Sequence, residues 1–173
     1  DASNSGGGIE VWGNGTATLT NSTVSENYAF DGAGISSNGA SAATFKNTIV
    51  ANNNDDYYPN NCAGSIVSLG YNLQDGISCN FNEPSDLAVP DAMLRPLQDN
   101  GGPTETHDLL PGLPAIDAGS VDCPPPATDQ RGGARPQGAA CDLGSVAFVP
   151  APRGAVMLVA GAARLGLPDL RGG

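Results

Sequence analysis

Leu19-Thr20-Asn21-Ser22-Thr23-Val24-Ser25-Glu26-Asn27 and Phe45-Lys46-Asn47-Thr48-Ile49-Val50-Ala51-Asn52-Asn53 are one pattern written twice, 26 residues apart. Gly8-Ile9-Glu10-Val11 returns as Gly34-Ile35-Ser36-Ser37 at the same offset, with no insertion between the two blocks. Each copy reads as a Gly-rich turn, a short apolar strand, a second turn and a β-rich strand that ends in Asn. Neither copy has a helical period or enough apolar residues for a core of its own. Such units gain stability by stacking, which joins their apolar faces into one column. The expected fold is therefore all-β: part of a right-handed parallel β-helix, with Ile9 over Ile35, Leu19 over Phe45 and Asn21 over Asn47. Asn tolerates left-handed backbone angles, and its amide can bond the next copy across the strand spacing of about 4.8 Å. A leucine-rich repeat is shorter and rich in Leu, a propeller blade is longer, and a sandwich of hairpins has no reason to keep one offset.

After Asn53 the register loosens. The stretch from Asn52 to Asn61 is a polar loop, and Gly64-Ser65-Ile66-Val67-Ser68-Leu69-Gly70-Tyr71-Asn72-Leu73 reads as a third, irregular copy. From Asp86 the composition turns to Pro, Gly and Asp, which forbids a long helix. Short strands are expected there around Leu109–Leu110, Ala115–Ile116 and Val146–Val149. The resulting division is repeats over 1–85, an irregular C-terminal cap over 86–149 and a tail over 150–173. Asp1 falls inside a copy, without Met or signal peptide, so the chain reads as a fragment or processed product of a longer one. An uncapped first copy would present unpaired backbone groups to upstream residues or to another chain.

The four cysteines, Cys62, Cys79, Cys123 and Cys141, contain no C-x-x-C pair of the kind zinc prefers. Of the three possible pairings, Cys62–Cys79 and Cys123–Cys141 close the short loops. Each bridge is worth roughly 3 kcal/mol in the chain-entropy model, and both suit an oxidising compartment. The net charge of −11 repels phosphate backbones and excludes nucleic acid as a partner.

Several strings from Cys62 onward occur together and in order. They are Cys62-Ala63-Gly64, Gly70-Tyr71-Asn72-Leu73, Asn100-Gly101-Gly102-Pro103-Thr104-Glu105-Thr106-His107, Leu109-Leu110-Pro111-Gly112-Leu113-Pro114-Ala115-Ile116-Asp117-Ala118-Gly119, Asp129-Gln130-Arg131-Gly132 and Arg135-Pro136-Gln137-Gly138-Ala139-Ala140-Cys141-Asp142-Leu143-Gly144. This series resembles the C-terminal region of the bacterial choice-of-anchor Q proteins, from about Gly6 to Phe148. The resemblance implies a secreted or cell-surface protein with a right-handed parallel β-helix, and it implies no established enzyme activity. The chain departs from the family where Gly144-Ser145-Val146-Ala147 replaces the usual Gly-Ala-x-Glu, and where Leu113 replaces a small residue. The end of the chain is similar to the family's sorting tails, Pro-rich, then apolar, then basic. Its apolar run, Ala155–Ala163, is nine residues, whereas a membrane span needs about 20.

No residue is assigned a catalytic role. His107, the single His, has no G-x-S-x-G elbow to serve and belongs to a string that reads as structural. Asp31, Asp55 and Asp56 are weak calcium candidates near turns, without the D-x-D-x-D-G loop, and no other cofactor is implied. Asp117, Asp129, Arg131, Arg135 and Asp142 form a mixed-charge group. Their expected role is structural, with Arg forks tying loops to carboxylates and carbonyls. The function read from the sequence is an adhesin-like structural or interaction module of a secreted bacterial surface protein. Its partners would be a carbohydrate or cell-surface ligand and neighbouring subunits joined end to end. The alternative is the C-terminal part of a pectate-lyase-like, carbohydrate-active enzyme whose active face lies upstream.

Overall fold

The computed structural model describes residues 2–54, 60–123 and 125–150. Among these residues there is no helix, and every strand-to-strand pairing is parallel. β1 (Ala2–Ser5) pairs with β5 (Ala29–Asp31). β2 (Ile9–Val11), β6 (Ile35–Ser37) and β9 (Cys62–Gly64) form one sheet. β3 (Thr16–Thr20), β7 (Ala42–Lys46) and β10 (Ile66–Ser68) form a second. β4 (Thr23–Ser25), β8 (Ile49–Ala51), β11 (Leu73–Asp75) and β12 (Leu87–Val89) form a third.

Successive strands of one copy enter different sheets, and each lies beside its counterpart in the next copy. Ile9 pairs with Ile35, Leu19 with Phe45 and Thr23 with Ile49, all at the offset read from the sequence. The two tasks expected of Asn are divided between positions. Asn21 and Asn47 take the left-handed corners, with φ of 48° and 52°. Asn27, Asn53 and Asn61 form the ladder: Asn27 Nδ2 donates to Asn53 Oδ1 at 2.9 Å, and Asn53 Nδ2 donates to Asn61 Oδ1 at 2.9 Å. The third copy keeps the scheme with other residues. Tyr71 takes the corner at φ 59°, and Asn72 Oδ1 accepts from Thr48 N at 3.0 Å. Gly8 and Gly34 recur because the copies touch there: a Cβ on Gly8 would lie 2.6 Å from Gly34 O, and one on Gly34 2.5 Å from Asn61 O.

Alternation along β8 separates two cores. Val50 points to a cluster with Leu19, Val24, Ile35, Phe45, Cys62 and Cys79. Ile49 and Ala51 point the opposite way, into a cluster with Leu73, Leu109, Leu113, Leu143 and Val146. The C-terminal segment lies on the outward face of the third sheet. Gly144 makes that approach possible, since a Cβ there would fall 2.7 Å from Thr23 Oγ1 and 2.8 Å from Ile49 Cδ1.

Both expected disulfides are present, Cys62–Cys79 and Cys123–Cys141, which suits an oxidising, extracellular setting. Two details differ from the sequence reading. A further parallel strand, β12, lies just past residue 85, because Asp86 accepts from Asn72 N at 2.9 Å and Ser68 Oγ at 2.6 Å and so anchors Leu87 beside Leu73. The short strands expected in the C-terminal segment do not form. Leu109 makes only an isolated antiparallel bridge with Leu94, 115–116 lies in a turn, and 146–149 pairs with side chains instead. Ala147 N donates to Asp129 Oδ2 and Phe148 N to Asp142 Oδ2, which removes those groups from any ladder. The tail beyond Pro150 lies outside the described residues. None of the described helices could cross a membrane, since none exists.

Candidate functional site

The mixed-charge group divides into two joined knots. In the first, Asp129 has a side chain 1% exposed. Its Oδ1 accepts from Arg131 N and Gly133 N, both at 2.9 Å. Its Oδ2 accepts from Ala147 N at 2.9 Å and from Arg131 Nε and Nη2 at 3.1 and 2.9 Å. Burial by itself would raise the Asp129 carboxyl, but the bonds from Ala147, Arg131 and Gly133 outweigh it and hold the group below the usual carboxylate range. Arg131 also donates to Ala147 O and reaches Asp108 Oδ1 at 3.3 Å. Asp108 was not singled out in the sequence. It follows His107 in the sequence, and nothing local marks it as the second partner of an arginine 23 residues away.

In the second knot Arg135 is buried and bonds backbone only, with Nη1 to Asp142 O at 3.1 Å and Nη2 to Gly144 O at 2.7 Å. Burial lowers its pKa, partly offset by the charges of Asp129 and Asp142. Asp142 accepts from Asp117 N at 2.7 Å and from Phe148 N. Burial pushes its carboxyl above the ordinary value despite these two bonds. Asp117 Oδ1 accepts from Ala140 N at 3.0 Å. Arg131 thus meets the expectation of an arginine bonded to both a carboxylate and a backbone oxygen, whereas Arg135 meets only the backbone half of it.

His107 is buried, and its Nδ1 lies 2.8 Å from Arg95 O, within the hairpin closed by the bridges Leu94–Leu109 and Gln98–Thr106. Asn100 supports the same turn, donating to Thr106 O at 2.7 Å. Lys46 leaves the repeat surface to bond Asp122 at 2.8 Å, and this bond holds the exposed Asp122 carboxyl below its usual pKa. Of the calcium candidates, Asp31 is exposed on β5, and Asp55 and Asp56 lie outside the described residues. No group of three or more His, Cys, Asp or Glu among the described residues is placed to hold a metal ion.

Two adjoining cavities, of about 340 and 400 Å³, open where β4 meets the C-terminal segment. Both are lined by Thr23, Gln130 and Ser145; His107 and Glu105 line the first, Asn21, Asp129 and Arg135 the second. Sequence reasoning did not find them, because their lining comes from segments far apart in sequence, as for Thr23 and Ser145, 122 positions apart and joined by a 3.0 Å bond.

No family model, curated protein or solved structure matches the chain.

Proposed function

We propose that the chain is a stretch of right-handed parallel β-helix of the choice-of-anchor Q type, from a secreted bacterial surface protein, and that it acts as a non-catalytic, adhesin-like interaction module. The reading rests chiefly on the shared register: strands of three sheets all pair in parallel with their counterparts in the next repeat copy. Parallel connections within a sheet are right-handed in about 98% of cases, which gives the proposed hand. Two disulfides in a chain of this composition support an extracellular setting. Apart from Arg135 Nε, the charged group of the C-terminal segment is taken up by internal bonds, which supports a structural part for it. The strands β2, β3 and β4 end their sheets on one side, and β9, β10 and β12 on the other, so further copies or subunits can add at either edge.

The test is fractionation of the producing bacterium with peptide mapping of the native protein. Peptides joined through Cys62–Cys79 and Cys123–Cys141 are expected in the culture medium or the surface fraction. Recovery of the protein from the cytosol with free thiols would overturn the reading.

A further inference from the structure

Among the described residues, three buried side-chain polar atoms lack a hydrogen-bond partner: Asn21 Oδ1, Ser25 Oγ and Arg135 Nε. Native proteins leave few such atoms, and each one asks for an explanation. All three belong to residues that line the two adjoining cavities, Ser25 the first and Asn21 and Arg135 the second. Asn21 and Arg135 are 7% and 5% exposed, so neither side chain can turn to bulk solvent. We propose that this trench, between β4 and the C-terminal segment, is a binding site for a neutral saccharide.

The chemistry of the unmet atoms selects the ligand. Asn21 Nδ2 is directed at Pro125 O, 3.4 Å away, so Oδ1 is left as an acceptor. Arg135 spends Nη1 and Nη2 on carbonyls and leaves Nε–H as a donor. Ser25 Oγ can do either. A phosphate or carboxylate only accepts, which leaves Asn21 Oδ1 unmet, and the chain's charge of −11 opposes it. An ammonium only donates, and it would sit beside Arg135. A hydroxyl both donates and accepts. The remaining lining agrees, with the hydroxyls of Thr23 and Ser145 and the amide of Gln130 beside the apolar Ile9, Val24 and Leu97. Each chamber falls in the range of about 300–1,000 Å³ typical of small-molecule sites. A peptide also offers donors and acceptors, but it binds through a run of backbone pairs with alternate side-chain slots. The unmet atoms here are side-chain atoms spread over two chambers.

The inference names the ligand class of the interaction module proposed above and rests on that reading. The test titrates the protein with maltose, cellobiose, lactose and chitobiose, with trigalacturonate as the acidic control. Calorimetry follows binding, and proton NMR of the sugar follows turnover. At least one neutral disaccharide is expected to saturate the protein at millimolar concentration or below, and trigalacturonate to bind less well. Ser25→Ala should weaken that binding about tenfold, the effect of one lost hydrogen bond. It should not lower the melting temperature of the free protein, because the hydroxyl it removes is unpaired. Gln130→Ala changes an exposed side chain and should weaken binding while leaving the fold intact. The proposal is overturned if no neutral sugar binds, if trigalacturonate or an unrelated peptide binds more tightly, or if both variants bind as the parent does. Release of monosaccharide would overturn the non-catalytic reading instead and leave the site standing.

Discussion

Asp129→Ala is expected to lower stability at neutral pH by about 3–5 kcal/mol, the usual cost of removing one partner from a buried ion pair. The carboxylate gathers three backbone N–H groups and the Arg131 fork; its loss leaves the three N–H groups and Arg131 Nε without that acceptor, while Arg131 keeps Ala147 O and Asp108. Arg131→Ala should cost less, because Asp129 keeps its bonds from Arg131 N, Gly133 N and Ala147 N. The pH dependence follows from the sign of the shift. The folded Asp129 carboxyl titrates below its unfolded value, so its contribution is complete above an unfolded pKa of about 3.9 and fades as pH falls through the folded value. Asp142 acts in the opposite sense: its folded pKa is raised, so its contribution is present at low pH and is lost as pH rises through the folded value. Comparing the parent with Asp129→Ala isolates the first group. Urea denaturation across the acid range should show the gap between the two proteins closing as pH drops below about 4. A constant gap, or no gap at neutral pH, would refute the account of the knot.

Phe45→Ala should be equally damaging for an apolar reason. The ring is fully buried, lies beside Leu19 of the preceding copy and packs against Phe81 with centroids 5.3 Å apart at 58°. Removing a ring of this size from a packed core costs about 3–5 kcal/mol, part of it for the void left behind. The next residue provides the control. Lys46 faces outward from the same strand and pairs with Asp122, whose side chain is 72% exposed, so Lys46→Ala should cost under about 1 kcal/mol. If thermal or urea melts gave the two variants equal losses, the assignment of β7's inward and outward faces would fail.

The repeat was readable because parallel stacking sets like residues over like. Leu19 over Phe45 and Ile9 over Ile35 are written at one offset, and the offset is the register. The disulfides were readable because short loops are cheap to close. Leu87–Val89 was hidden by its Pro-rich surroundings, although Asp86 needs only two bonds to anchor a strand there. The side-on placement of the C-terminal segment was hidden too. Ile49 and Leu73 look like ordinary core residues in sequence, and nothing local says that they face away from Val50. The Arg131–Asp129 bond was visible as a charge pattern, but Asp108 and the unmet atoms of the trench depend on contacts between distant segments.

That side-on placement bears on how the molecule comes apart. A plain stack of repeats frays from its ends, since each unit touches only its neighbours. Here the C-terminal segment is fastened to the first copy through Ser145 N and Thr23 Oγ1, and to the second through Gly144 N on Asn47 O and Ser120 N on Asn47 Oδ1. It meets the third copy through the apolar contacts of Leu73. Peeling away any one copy therefore also breaks bonds to a segment that holds the others. The splint couples the copies into one cooperative unit, so melting should be a single transition. Native-state hydrogen exchange should give amides of β3, β7 and β10 one common opening free energy, where an unsplinted array would give a gradient along its length.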